Sequence, residues 1–125
     1  MLSLPSSVRI FLCVVPADMR RSFDGLARMV EEFVGGDPLS GHWFVFRNRR
    51  GDRLKILCWE RHGYVIYYKR LEEGTFWFPD QAEPDVRQSS VEASVGVSAA
   101  ELAMILEGVE WQGVRKRRRY ERPVA

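Results

Sequence analysis

A chain of 125 residues, 46% of them hydrophobic, matches one domain and can bury a core without disulfide or metal staples. Its two cysteines, Cys13 and Cys58, and two histidines, His42 and His62, lack metal-ligand spacing, and no apolar run approaches the ~18 residues of a membrane helix. The net charge of +2 hides a segregation: residues 47–70 hold eight Lys or Arg against two acids, residues 71–110 one against nine, and residues 111–125 six against one.

Residues 8–15 form a Val- and Ile-rich run, which predicts a strand buried on both faces and central in a sheet. Only Arg9 precedes the apolar stretch and no small-residue cleavage site follows it, so it does not read as a signal peptide. Cysteines among apolar neighbours fit a reducing cytoplasm. Pro16 ends the strand, and Asp18 is placed to cap a helix over residues 19–33. Phe23, Leu26, Met29, Val30 and Phe33 recur at three- and four-residue spacing, an apolar stripe for one helix face. Gly25 inside it is expected where the helix backbone lies against the sheet, and Gly35-Gly36-Asp37-Pro38 terminates it.

Residues 41–71 alternate with a period of two, three times over. Phe44 and Phe46 alternate with Trp43, Val45 and Arg47; Leu54, Ile56 and Cys58 with Lys55, Leu57 and Trp59; Tyr64, Ile66 and Tyr68 with Val65, Tyr67 and Lys69. The breaks, at residues 48–52 and 60–63, each hold a glycine able to take the positive φ of a tight hairpin. This is a three-stranded meander. Residues 75–78 suggest a short fourth strand stopped by Pro79, residues 80–90 a linker, and residues 91–97 a further short strand. Ser98 and Glu101 form a capping box, with Val97 and Leu102 as its hydrophobic staple, opening a helix that carries Leu102, Ile105, Leu106 and Val109 inward and stops near Gly108.

The expected fold is α+β: a mostly antiparallel sheet of about four or five strands around the central meander, packed by one amphipathic helix, with a C-terminal helix and a basic tail. Residues 1–79 form the core, 80–90 the linker, 91–110 a strand and capped helix packing on the core, and 111–125 a disordered tail.

The basic residues of the meander are either solvated turn and edge positions that discourage edge pairing, or a phosphate-binding surface made of Arg47, Arg49, Arg50, Arg53, Lys55, Lys69 and Arg70. In the second reading Trp43, Trp59 or Tyr67 on the same face stack on bases. The run Arg115, Lys116, Arg117, Arg118 and Arg119 is a solubilising terminus or an arm adding non-specific affinity, about five phosphates giving a salt slope near −4.5.

A set of ordered motifs carries a family resemblance. Asp18-Met19-Arg20-Arg21, Phe23-Asp24-Gly25-Leu26, Asp37-Pro38-Leu39-Ser40-Gly41, residues 44–52 (FVFRNRRGD), Lys55-Ile56-Leu57, Trp59, Gly63, Lys69-Arg70-Leu71, and Gly74 with Phe76 and Pro79 together resemble the TnpB accessory proteins of the insertion-sequence 66 family. These are small bacterial proteins encoded beside a separate transposase, and distinct from the longer RNA-guided nucleases that share the name. The match is dense over residues 4–79, looser over the Leu102–Gly108 helix, and absent after Trp111. Arg21 replaces the family's usual lysine and Leu39 its frequent phenylalanine, each keeping the chemistry type. The resemblance implies a part in transposition beside the transposase and supplies no catalytic residues.

Two-metal strand transfer would need converging carboxylates; of the candidates Asp18, Asp24 and Asp52, Asp18 has a capping role to fill and Asp52 a turn role. No phosphate-binding glycine loop or nucleophile elbow occurs. The expectation is therefore a non-catalytic protein without metal or cofactor, away from membranes. Its partners are either DNA at the element's ends, or the transposase through Asp18, Arg20, Arg21 and Asp24, with only non-specific DNA affinity.

Overall fold

A computed structural model describes residues 5–79, 94–110 and 115–116 of the chain. Its main sheet contains β1 (Ile10–Cys13), β2 (Trp43–Arg47), β3 (Arg53–Glu60), β4 (Gly63–Arg70) and β5 (Ser94–Val97), in the order β4-β3-β2-β1-β5. The meander β2-β3-β4 is antiparallel throughout, with Val45 opposite Ile56 and Ile56 opposite Tyr67. Strand β1 lies between β2 and β5, as its apolar run predicts, parallel to β2 and antiparallel to β5. The fold is thus α+β with one parallel pair.

Both faces of the sheet are covered. On one, helix α1 (Phe23–Met29) and the π-helical turn Val30–Val34 that extends it bury Leu26, Ala27, Met29 and Val30 against Phe44, Phe46 and Leu57. On the other, helix α2 (Ala99–Glu107) sets Leu102, Ile105 and Leu106 on Trp43, Val45, Leu54 and Ile56. The capping box is formed, the Glu101 amide donating to Ser98 Oγ and the Ser98 amide to Glu101 Oε1, and Gly108 ends the helix at φ 79°. Burial of full-sized apolar side chains on both faces contributes roughly 1.5–3 kcal/mol for each.

Several local expectations are corrected. The helix begins at Phe23 behind Ser22, because Asp18 folds residues 18–21 into a turn of their own: its Oδ1 accepts from the Arg20 amide and its carbonyl from the Arg21 amide. Phe23 is 44% exposed and stacks on Tyr64, rather than joining the core. A Cβ on Gly25 would meet the Arg21 side chain at 3.1 Å and not the sheet. In the β3–β4 turn the positive φ, 55°, belongs to Arg61 and not to Gly63. Residues 75–79 are not a strand; Phe76 and Phe78 instead close the α2 face as irregular chain, with the Phe76 amide donating to Gly51 O at 2.7 Å. Trp43 is buried, and Trp59 pairs across the ladder with Tyr64 on the α1 side while Tyr67 lies on the other, so the three aromatics do not share a stacking surface.

The proposed linker at residues 80–90 lies outside the described residues, as does most of the basic tail. Within that tail Arg115–Lys116 forms β7, paired antiparallel with β6 (Val109–Glu110). Among the described residues no helix is long and apolar enough to cross a membrane.

Candidate nucleic-acid interface

The turn between β2 and β3 is held by its own side chains. Asn48 Nδ2 donates to Asp52 Oδ1 at 2.8 Å, Asn48 Oδ1 accepts from the Arg53 amide at 3.0 Å, and the Gly51 amide closes the turn on Asn48 O. Gly51 sits at φ 79°, where a side chain is strained, and a Cβ there would press on Thr75 at 3.2 Å. The Asn48 hydrogen bond, helped by the Arg50 and Arg53 charges, holds the Asp52 carboxyl below its ordinary range. A turn so constrained presents Arg49 and Arg50 outward without further ordering; both are exposed and have no hydrogen-bond or ion-pair partner among the described residues.

The same turn faces the Asp18–Arg21 turn across an open groove of about 730 Å³. Its lining includes Arg49, Arg50, Arg53, Asp52 and Asn48 from one side and Ala17, Asp18, Met19 and Arg21 from the other, with Val15, Met29 and Phe33 below. The two walls are tied together: the Ala17 amide donates to Arg47 O at 2.9 Å, and Lys55 Nζ donates to Met19 O and Arg21 O, each at 2.8 Å. Two stretches that read from sequence as a DNA-binding hairpin and a protein-binding motif therefore line one site. Four arginines face Asp18 and Asp52, and Asp18 is already engaged: Arg20 binds it through Nε and Nη2, which with the Arg20 amide lowers its pKa to about 2. The balance favours an anion.

The remaining basic residues divide sharply. Arg47 donates from Nη1 to Phe76 O at 2.9 Å and lies 4.1 Å over the Phe78 ring, and its burial pushes its pKa down. Lys55 is 8% exposed and sits beneath Tyr68, 4.7 Å from the ring centre. Lys69 Nζ donates to Leu106 O at 2.8 Å, satisfying a carbonyl at the C-terminal end of α2. These three are engaged with carbonyls of other segments of the fold. Arg53 keeps one contact, Nη1 to the Tyr68 hydroxyl at 3.0 Å, and Arg70 pairs with Glu72 at 2.9 Å on the surface. The side chains of Arg115, Lys116, Arg117, Arg118 and Arg119 lie outside the described residues. Asp24 is exposed in the first turn of α1, away from the groove lining.

Sequence reasoning missed the apolar floor. Met29 and Phe33 signal only a helix face packed on a sheet, and nothing in their spacing says that the β1–α1 connection leaves that face open at one end. His42, a possible acid or base by residue type, accepts the Arg9 amide on Nδ1 at 3.0 Å and packs edge-on against Phe11. Among the described residues no cluster of three or more His, Cys, Asp or Glu is arranged to hold a metal ion.

The family described as "IS66 Orf2 like protein" matches residues 8–116, which includes α2, where the resemblance is looser, and carries the match past Trp111 to Lys116 at the end of the β6–β7 ladder. Two relatives come from Sinorhizobium fredii (strain NBRC 101917 / NGR234). The uncharacterized protein y4hO is 34% identical over 111 residues, covering 87% of this chain and 89% of its own length. The uncharacterized protein y4jC is 33% identical over 116 residues, covering 93% and 91%. No solved structure matches this chain. With the family match running from β1 to β7, and with both relatives aligned over nearly their whole length, this chain belongs to the family of IS66 Orf2-like proteins.

Proposed function

We propose that the protein is a non-catalytic accessory factor in transposition that binds DNA through the β2–β3 turn and acts beside a separate transposase. Family membership supports the transposition role. The observation that carries the DNA reading is the convergence of Arg49 and Arg50, free of partners among the described residues, with Arg21 and Arg53 on one groove. A rigid turn bearing unpaired guanidinium groups suits phosphate, which arginine binds bidentately. The test is binding of the purified protein to element-end DNA and to a scrambled duplex across a salt series. End-selective binding that persists at high salt would mark a sequence reader. Equal binding that collapses with salt would leave only charge, and no binding to either would end the DNA reading.

One observation favours the adaptor reading. Strand β4 is an edge of the sheet, eight residues long, with Val65, Tyr67 and Tyr68 between 37% and 46% exposed. An extended edge with apolar side chains is suited to receiving a strand from another protein. In that reading the transposase adds to β4, and Asp18, Arg20, Arg21 and Asp24 contribute polar contacts. Co-purification of the transposase with wild-type protein but not with a folded Tyr67→Lys variant would support it; equal recovery would remove β4 from the interface.

A further inference from the structure

The β2–β3 turn needs no cavity to bind a duplex backbone, yet it borders one. The groove has basic residues along its upper wall and an apolar base: Val15, Met19 and Phe33 are half-buried, so each keeps surface open to it, over the fully buried Met29. Its volume of about 730 Å³ falls within the roughly 300–1,000 Å³ of small-molecule sites. A ligand that uses both parts has a flat apolar portion and an anionic portion close together.

Nucleotides have that chemistry, but a paired base cannot present it. In a duplex the bases are stacked inside and only phosphates reach a rim, so an apolar floor would stay empty; a base that enters a pocket must first be unpaired and unstacked. Thioether and aromatic side chains accept any base face without reading its edges. The polar groups around the floor are mostly committed: Asn48 to Asp52 and the Arg53 amide, and Asp18 to Arg20. The site therefore has few free groups to discriminate between bases, while Arg49 and Arg50 remain available for the phosphate.

We propose that this groove receives an unpaired nucleotide, its base against Val15, Met19 and Phe33 and its phosphate at Arg49 and Arg50. The proposal rests on the DNA reading above and narrows it to single-stranded or frayed DNA, with little base preference. It predicts that the protein favours unpaired ends over blunt duplex.

The test compares three probes of equal phosphate number: a single strand, the same strand with its bases removed as abasic sites, and a blunt duplex. The expected result is binding to the single strand about tenfold tighter than to the abasic strand, the size of one base-stacking contact. Near-ultraviolet irradiation of a 5-bromouracil-substituted strand should crosslink to Met19 or Phe33, located by peptide mass spectrometry, which reads the site in the wild-type protein without a variant that might misfold. Equal affinity for normal and abasic strands, with no crosslink between residues 15 and 33, would overturn the nucleotide site and leave backbone binding intact. Failure to bind any of the three would end the DNA reading together with this one, and return the groove to a protein contact.

Discussion

Lys55 and Arg50 belong to one hairpin and carry the same charge, but the fold uses them in opposite ways. Lys55 is drawn inward, its ammonium donating to two carbonyls of the Asp18–Arg21 turn, whereas Arg50 stands outside on a turn braced by Asn48. The same division separates Arg47 and Lys69, bound to Phe76 O and Leu106 O, from Arg49. A run of positive charge thus includes anchors that satisfy carbonyls on other segments beside guanidinium groups, Arg49 and Arg50, with no hydrogen-bond or ion-pair partner among the described residues. Backbone carbonyls in irregular connections need donors, and long cationic side chains from a neighbouring strand supply them.

The comparison can be broken most severely at Lys55. Lys55→Met keeps the aliphatic stem and removes the donor, leaving Met19 O and Arg21 O unsatisfied beside the core; the expected loss is about 2–3 kcal/mol, read from the urea midpoint. Arg47→Ala removes a charged hydrogen bond and the contact with Phe78, and should cost about 2 kcal/mol, with amide exchange rising first around residues 75–79. Lys69→Ala should cost about 1 kcal/mol, with faster exchange confined to the last turn of α2. If any of these three variants kept full stability while losing DNA affinity, the division into anchors and free cations would be wrong.

Asp18 gives the smallest effect and a pH signature. Its hydrogen bonds from Arg20 hold its pKa at about 2. Because the folded value lies below that of the unfolded chain, the contribution of the Asp18 turn is present above the unfolded pKa of about 3.9 and is lost as pH falls through the folded one. Carboxyl titration by NMR should show that depressed midpoint, and Arg20→Ala should return it toward the ordinary aspartate range. An unchanged midpoint in the variant would mean that the pair does not hold the turn.

Much of this arrangement was legible in the chain. The period of two located β2, β3 and β4, Gly51 marked the positive φ of the first turn, and Ser98 with Glu101 marked the start of α2. Alternation says which residues share a face, but not which segment covers that face. Lys55 therefore read as a solvated or phosphate-binding residue, although the 18–21 turn lies over it. Residues 75–78 have the aromatic content of a strand, but the Phe76 carbonyl accepts from the Arg47 side chain and the Phe76 amide donates to Gly51 O instead of joining a ladder. Asp18 matched a helix cap by residue type and spacing, while its carboxylate closes a turn one step earlier. The parallel pairing of β1 with β2 depends on the crossover through α1, which local pattern does not encode.

The measurement that bears most directly on the division of charge is the salt dependence of DNA binding for Arg49→Ala/Arg50→Ala beside Lys69→Ala and wild type. Arg49 and Arg50 are exposed and have no hydrogen-bond or ion-pair partner among the described residues, so the double variant should keep stability within about 0.5 kcal/mol. Its log–log salt slope should flatten by about 2, one for each lost phosphate contact, while Lys69→Ala keeps the wild-type slope. A double variant with an unaltered slope, or a Lys69→Ala variant that loses slope while remaining folded, would contradict the account.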